Sequence, residues 1–332
     1  MLKKMDQFQK MLLLIILLYS VFVSFKNPGF LQIQTVFDIV KMSSTTMIVA
    51  IGLLVVMISG GIDVSFMAIA LFGSYTSLYM MIQFGIDSLA FAFAVSCLIG
   101  AGLGVVNALF INWLKLPPFI ITLGTQNLFH GIMTTFISDK SFGSGVLPPS
   151  LHEFGQGTLF KVATQSGSAG LTLSLIPVLL AGLLTFFILN KTMIGRSIVA
   201  IGNDEESARR AGFNPFRTRL FVYAYSGALA GMMGIVYAAQ VNALYPNKMV
   251  GDELMVVAAV VIGGTKITGG QGKIFGAVLG VLIIYLLNST LILIGLSSSW
   301  NNLFVGAILV IAVAVTSWQE RVKNRNHLIF TE

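Results

Sequence analysis

Charge is scarce in this sequence. Asp, Glu, Lys and Arg make up only 10% of its 332 residues, against about 25% in a soluble globular chain. Hydrophobic residues reach 56%, and the mean hydropathy is +0.88. A water-soluble fold has no means of hiding that much apolar surface, so soluble multi-domain readings are excluded and the chain falls in the membrane class. Cysteine is nearly absent: Cys97 is the only one, so neither an intrachain disulfide nor a thiolate metal cluster can form. The three histidines, His130, His152 and His327, fall in an apolar stretch, a loop and the tail, without metal-ligand spacing. No G-x-S-x-G or H-E-x-x-H run is present. The phosphate-loop pattern G-x-x-x-x-G-K-[ST] comes nearest at Gly272-Lys273-Ile274, which lacks the hydroxyl and has Ile267 where the first glycine belongs. The sequence therefore predicts no catalysis, no metal and no bound cofactor in this chain, and any ATP must be hydrolysed by another subunit.

The apolar runs are abundant. A spanning helix needs about 20 mostly apolar residues, and ten segments qualify: roughly 9–27, 40–58, 64–83, 88–112, 119–138, 171–190, 219–240, 253–264, 274–295 and 300–317. The fold class expected is an all-α integral membrane protein of about ten spans in one domain, 1–332. The first segment follows Lys3, Lys4 and Lys10 and has no small-x-small cleavage site before Lys26-Asn27-Pro28, so it reads as an uncleaved span. The eighth is cleanly apolar only from Glu253 to Ile262, then meets Gly263-Gly264, and reads as a broken or half-crossing helix. The net charge of +7 does not mark a nucleic-acid binder, because the basic residues lie between and at the ends of the apolar runs. With the N-terminus inside, Lys26, Lys41, Lys140, Lys161 and Lys248 fall outside and the other fifteen of the 20 Lys and Arg fall inside. This bias is the one bilayer orientation produces, and it puts both termini in the cytoplasm.

Two connections stand out. The outer one, 139–170, is rich in Gly, Ser and Pro and divides the spans five and five. The inner one, 191–219, is the longest strongly charged stretch. A faint repeat also links the halves: Ile58-Ser59-Gly60-Gly61-Ile62-Asp63-Val64-Ser65 echoes Val261-Ile262-Gly263-Gly264-Thr265-Lys266-Ile267-Thr268. Glycine-interrupted segments in both halves of a transporter often mark its pathway, although Gly-Gly also breaks helices at ordinary turns.

Within 191–219, the run Gly202 to Pro215 carries helix punctuation. Asn203 is placed as N-cap, with Glu206 completing a capping box. Asp204, Glu205 and Glu206 fall in the first turn and Arg209 and Arg210 in the last, as the helix dipole favours. Gly212 suits a left-handed C-terminal cap, and Pro215 blocks continuation. A helix of about eight residues is too short to span the bilayer and marginal in isolation. It is either a docking element for a soluble partner or a solvated loop helix resting on its own protein. Intramembrane acids, the usual sign of ion coupling, are limited to Asp38, Asp63, Asp87, Asp252 and Glu253, mostly at span ends. Only Asp63 is closely flanked by apolar runs.

Several blocks in order resemble the monosaccharide branch of bacterial ABC importer permeases, the group with ribose, xylose, arabinose and autoinducer-2 transporters. Ser59-Gly60-Gly61-Ile62-Asp63-Val64-Ser65 resembles its S-G-G-I-D-L-S block, and Leu116-Pro117-Pro118-Phe119-Ile120-Ile121-Thr122-Leu123-Gly124 its L-P-x-F-I-x-T-L-G block. Gly202-Asn203-Asp204-Glu205 through Arg209, Ala211 and Gly212 resembles its cytoplasmic coupling segment. Glu253-Leu254, Ala258 to Thr265, Gly269-Gly270 and Gly272 resemble its glycine-rich block near the C-terminus. Phe66-Met67, Asp204 and Lys266-Ile267-Thr268 depart from the pattern, which discourages assigning one sugar. The resemblance implies a plasma-membrane permease subunit that pairs with a second copy or paralogue. It further implies a separate ABC ATPase subunit carrying ATP and magnesium, and an extracytoplasmic solute-binding protein that delivers the sugar. It makes Asn203, Asp204, Glu205, Glu206, Arg209, Arg210 and Gly212 the ATPase-coupling residues, and Gly60, Gly61, Gly263, Gly264, Gly269, Gly270 and Gly272 structural glycines. A neutral sugar needs hydroxyl and amide groups along its path, for which Ser59, Asp63, Ser65, Asn107, Thr122, Gln126 and Asn127 are the candidates; interhelical packing is their alternative role. An ion-coupled secondary transporter, a membrane scaffold with no transport path, and an ABC permease for a nucleoside or branched-chain amino acid are the competing readings.

Overall fold

Sixteen consecutive residues of one helix, Ser43 to Ile58, are buried without interruption. A helix apolar on all faces belongs in the middle of a membrane bundle, and this one, α2 (Ile33–Ile58), is the central post. In the computed structural model, which describes residues 7–164, 167–249, 251–293 and a few isolated positions up to 314, it packs against α10 (Pro215–Val241) and α12 (Ile274–Leu293), while α3 (Phe66–Phe84) and α4 (Leu89–Leu114) pack on the other side of α10. α1 (Gln7–Lys26) lies outermost, against α12, with Leu14, Leu17, Leu18 and Phe25 exposed as a lipid-facing helix requires.

Six described helices, α1, α2, α3, α4, α10 and α12, are long and apolar enough to cross a membrane. A seventh span is available from α7 (Leu175–Lys191) and α8 (Met193–Asn203), but the pair bends by 78° at Thr192. The sharp bend separates α8 from the span. α5 (Pro118–Ile132) has 15 residues, and a π-helical turn over Met133–Ile137 extends it. α11 (Glu253–Ile262) has 10 residues, which at about 1.5 Å per residue reaches roughly half the hydrocarbon thickness. It stops at the glycine pair where the sequence placed the break. The tenth predicted segment, 300–317, lies largely outside the described residues.

The connection read as a Gly/Ser/Pro loop is built. It contains α6 (Pro149–Gln156) and an antiparallel hairpin of β1 (Thr158–Thr164) and β2 (Gly167–Thr172). Gly155 lets α6 lie directly on the α10 backbone, since a Cβ there would overlap the Ala239 carbonyl. Phe160 of β1 meets Phe37 of α2 edge-on at 5.9 Å.

Without a hydrophobic force between helices in lipid, close backbone approach does the packing. Gly100 and Gly104 on α4 interlock with Gly227, Gly231 and the Tyr223 backbone on α10. A Cβ at Gly100 would overlap the Gly227 carbonyl, and one at Gly227 the Gly100 carbonyl. A second seam joins α11 to α12 through Gly263, Gly276 and Gly280.

Candidate functional site

The end of the bundle that carries α8 also carries α9 (Glu205–Arg210), a helix of six residues where the sequence suggested about eight. Its N-cap is Asp204 and not Asn203: the Asp204 carboxylate accepts from the Ser207 amide at 2.6 Å. Asn203 is the last residue of α8, and its side chain turns back to the Val199 carbonyl at 2.8 Å. The Asn203–Glu206 capping box is therefore not formed, because α8 runs one residue further than the charge pattern suggested. The Ser207 bonds, helped by Arg210, hold the Asp204 carboxyl below the usual range. Gly212 closes the helix in the left-handed region (φ +89°). Pro215 does not merely stop α9; it opens α10, with Asn214 as cap.

Charge splits α9 into an anchored and a free side. Glu205 pairs with Arg219 of α10 and with Arg209 at 3.4 Å, and Arg219 also donates to Asn112 of α4 at 3.2 Å. This clamp ties α9, α10 and α4 together, with Ala208 buried beneath it at 3% exposure. Among the described residues Arg210 and Glu206 form an ion pair only with each other and stand 77% and 73% exposed. Arg209 is 69% exposed.

Directly under this arm, three segments meet on glycine. A Cβ on Gly202, at the end of α8, would overlap the Ile58 carbonyl. The same carbonyl accepts from the Gly270 amide at 2.8 Å. The ideal Cβ of Gly269 lies 2.6 Å from the Gly202 carbonyl and 2.9 Å from Gly60 Cα. Gly272 faces Leu54, Ile58 and Thr265. The faint sequence echo has a geometric counterpart shifted by one residue, with Gly60 matching Gly264 and not Gly263. α2 and α11 end in the same six-to-one closure: Gly61 N donates to the Val56 carbonyl at 3.2 Å and Thr265 N to the Val260 carbonyl at 3.3 Å. Gly60 and Gly264 hold φ of +87° and +86° at matching positions, a conformation glycine adopts without a Cβ penalty.

The polar candidates sort by place. Asp63, Ser65, Asn107 and Thr122 come together just past the α2 turn. Asp63 Oδ1 accepts from the Ser65 amide at 2.8 Å and its hydroxyl at 2.7 Å; Asn107 Nδ2 donates to Ser65 Oγ at 2.7 Å; Thr122 Oγ1 accepts from the Val64 amide at 3.2 Å. Ser59 bonds its own helix, at the Val56 carbonyl. Gln126 sits elsewhere, donating to Glu253 at the start of α11 at 2.7 Å. Asn127, next to it in sequence, is exposed on the opposite face of α5 beside Leu123, Gly124 and Leu128. Tyr223 joins the Asp63 cluster with its hydroxyl 2.6 Å from where a Gly61 Cβ would stand. Sequence reading missed Tyr223, Asn112 and Arg219 as partners. The spacing of Arg219 and Tyr223, four apart and hence on one face of α10, was the available signal.

Residues 35–313 match the family described as branched-chain amino acid transport system / permease component. The D-allose transport system permease protein AlsC of Escherichia coli is 32% identical over 300 residues, covering 90% of this chain and 88% of that one. The ribose import permease protein RbsC of Bacillus subtilis is 31% identical over 311 residues, covering 94% and 92%. The autoinducer 2 import system permease protein LsrC of Yersinia enterocolitica is 31% identical, covering 86% and 75%. No solved structure matches the chain. A helical, apolar bundle matched along most of its length in this way belongs to the branched-chain amino acid transport system / permease component family and is a multi-pass membrane permease.

Proposed function

We propose that this chain is the permease subunit of an ATP-binding-cassette importer for a monosaccharide, and that α8 and α9 form its coupling arm toward a separate ATPase. The carrying observation is the division of α9. Glu205 and Ala208 fix it to the bundle, while Glu206, Arg209 and Arg210 stand exposed on the solvent side, where a partner can reach them. A six-residue helix has no stability of its own, so an arrangement that both holds it and leaves one side bare suits docking. The similarity to permeases named for D-allose, ribose and galactose supports the sugar class. On this reading the arm and both termini are cytoplasmic, the single domain spans 1–332 with its coupling segment at 191–219, and ATP and magnesium are held by the partner. A solute-binding protein delivers the sugar from outside, and a second permease copy or paralogue completes the pathway.

The pathway assignment narrows. The Asp63 cluster is sealed in the bundle and serves the turn. Asn127 is a polar side chain on the exposed face of a membrane helix. Such a group is costly against lipid, so this face of α5 is the proposed pathway wall. Closure of the ATPase would move the α8–α9 arm and, through the glycine junction, the two turns beneath it.

The test is purification of the tagged chain from its native membrane in mild detergent, with assays for ATP hydrolysis and for uptake of labelled ribose, allose and galactose. The wild type is expected to bring down a separate ATP-hydrolysing subunit, and Arg210→Glu to lose it and the uptake while still inserting. A chain that comes away alone and still moves sugar in liposomes would replace this reading with an ion-coupled transporter.

A further inference from the structure

We propose that the cluster around Asp63 binds a monovalent alkali cation. Three oxygen atoms there, Asp63 Oδ2, Asn107 Oδ1 and Tyr223 Oη, are buried without a hydrogen-bond partner. Their residues are 1%, 0% and 1% exposed. They belong to one constellation. Asn107 reaches Asp63 through Ser65 in two bonds of 2.7 Å, and the Tyr223 phenol sits against Gly61 within electrostatic reach of Asp63.

Hydrogen-bond logic fixes which atoms are left over. The Ser65 hydroxyl gives its proton to Asp63 Oδ1, so it can only accept from Asn107. That makes Nδ2 the bonded atom of Asn107 and leaves its carbonyl oxygen unused. Each of the three remaining oxygens offers a lone pair, and one of them carries charge. No Lys or Arg forms an ion pair with Asp63 among the described residues; Arg219, within electrostatic reach of Tyr223, is paired with Glu205 instead. The Ser65 amide at the start of α3 compensates only Oδ1. A buried carboxylate with no counter-ion is expensive, and unpaired buried oxygens add to that cost. A single positive charge held by hard oxygen ligands answers both. A second unit of charge would leave the cluster net positive, and among the described residues no group of three acidic, His or Cys side chains exists to hold a divalent ion. Half-helix ends and unwound backbone at membrane depth are where alkali ions are held in other membrane proteins. This cluster lies between the end of α2 and the start of α3, beside the glycine junction, so its cation would brace the turn on which the α8–α9 arm rests.

The experiment uses the full chain in lipid nanodiscs at fixed pH. Thermal unfolding is followed in NaCl, KCl or LiCl against choline chloride at equal ionic strength. The expected result is a rise in Tm that saturates with one or more of the alkali cations and is absent in choline, as ligand linkage requires. Asp63→Asn, neutral and of the same shape, is expected to abolish the rise. Tyr223→Phe, which removes one ligand and no charge, is expected to shift its midpoint to higher cation concentration. Should Asp63→Asn fail to fold, Tyr223→Phe decides alone, and an unchanged midpoint overturns the site. Equal Tm in choline and alkali salts overturns it in favour of a buried water. A Tm that follows pH and not cation overturns it in favour of a proton. A cation effect that survives Asp63→Asn overturns it in favour of lipid or surface binding.

Discussion

Glu205 and Glu206 are neighbours in sequence with opposite duties. Glu205 pairs with Arg219 and Arg209, and Arg219 extends the clamp to Asn112 on α4. Among the described residues Glu206 pairs only with Arg210, on the solvent side. Exposed i,i+4 pairs contribute about 0.3–0.5 kcal/mol, so Glu206→Gln is expected to leave thermal unfolding almost unchanged. Glu205→Gln keeps one acceptor oxygen but removes the counter-charge of the half-buried Arg219 and the second oxygen that serves Arg209, which costs roughly 1–3 kcal/mol, and is expected to lower the Tm of the purified chain measurably. Equal shifts for both would remove the clamp. The same contrast makes Arg210, and not Glu205, the place to perturb docking, because a Glu205 variant damages the subunit itself. At this scale the sequence was only partly legible. Its charges announced a short capped helix, but cap position depends on where α8 ends. Asn203 and Asp204 are both good caps in isolation, and only packing of α8 on Ile58 and Gly270 decides between them.

Among the elements, glycine sets the spacing. α4 and α10 touch backbone to backbone at Gly100, Gly104, Gly227 and Gly231, whereas Gly102 on the same helix faces open space. Gly100→Ala must push the helices apart and is expected to cost about 1–3 kcal/mol, as overpacking does. Gly102→Ala is expected to stabilise by roughly 0.5–1 kcal/mol through helix propensity. Denaturant melts of the two variants check the pair, and similar effects would show that the seam carries no strain. Gly100-x-x-x-Gly104 and Gly227-x-x-x-Gly231 are small-residue spacings of the type that joins membrane helices, so this seam could have been found in the sequence. The hairpin β1–β2 could not. Thr158–Thr164 and Gly167–Thr172 pair with each other and lean on α2, while locally they read as turn-rich loop. Short two-stranded ribbons gain stability from what they pack on.

For the whole molecule, hydropathy located the six long apolar helices among the described residues, because lipid forces every backbone group to bond internally. It located the half-length α11 as well, because the run Glu253–Ile262 is wholly apolar after its first residue and ends at a glycine pair. The proposed orientation is checked by cysteine labelling in a Cys97→Ser background. His152→Cys, on α6, is expected to react with an impermeant maleimide on intact cells. Arg210→Cys is expected to react only in inverted vesicles, and labelling of both from one side would reverse the reading. The glycine junction also bears on the order in which the chain is assembled. Its closing bond runs from Gly270 to Ile58, a contact of very long sequence separation that forms late in folding. A ribosome must release the turn beyond α11, through Gly270, before Gly202 has both of its neighbours. The clamp can seat α9 earlier, but the end of α8 gains this footing only once the turn after α11 has emerged, and a product cut before Gly270 carries an arm whose base is unbraced.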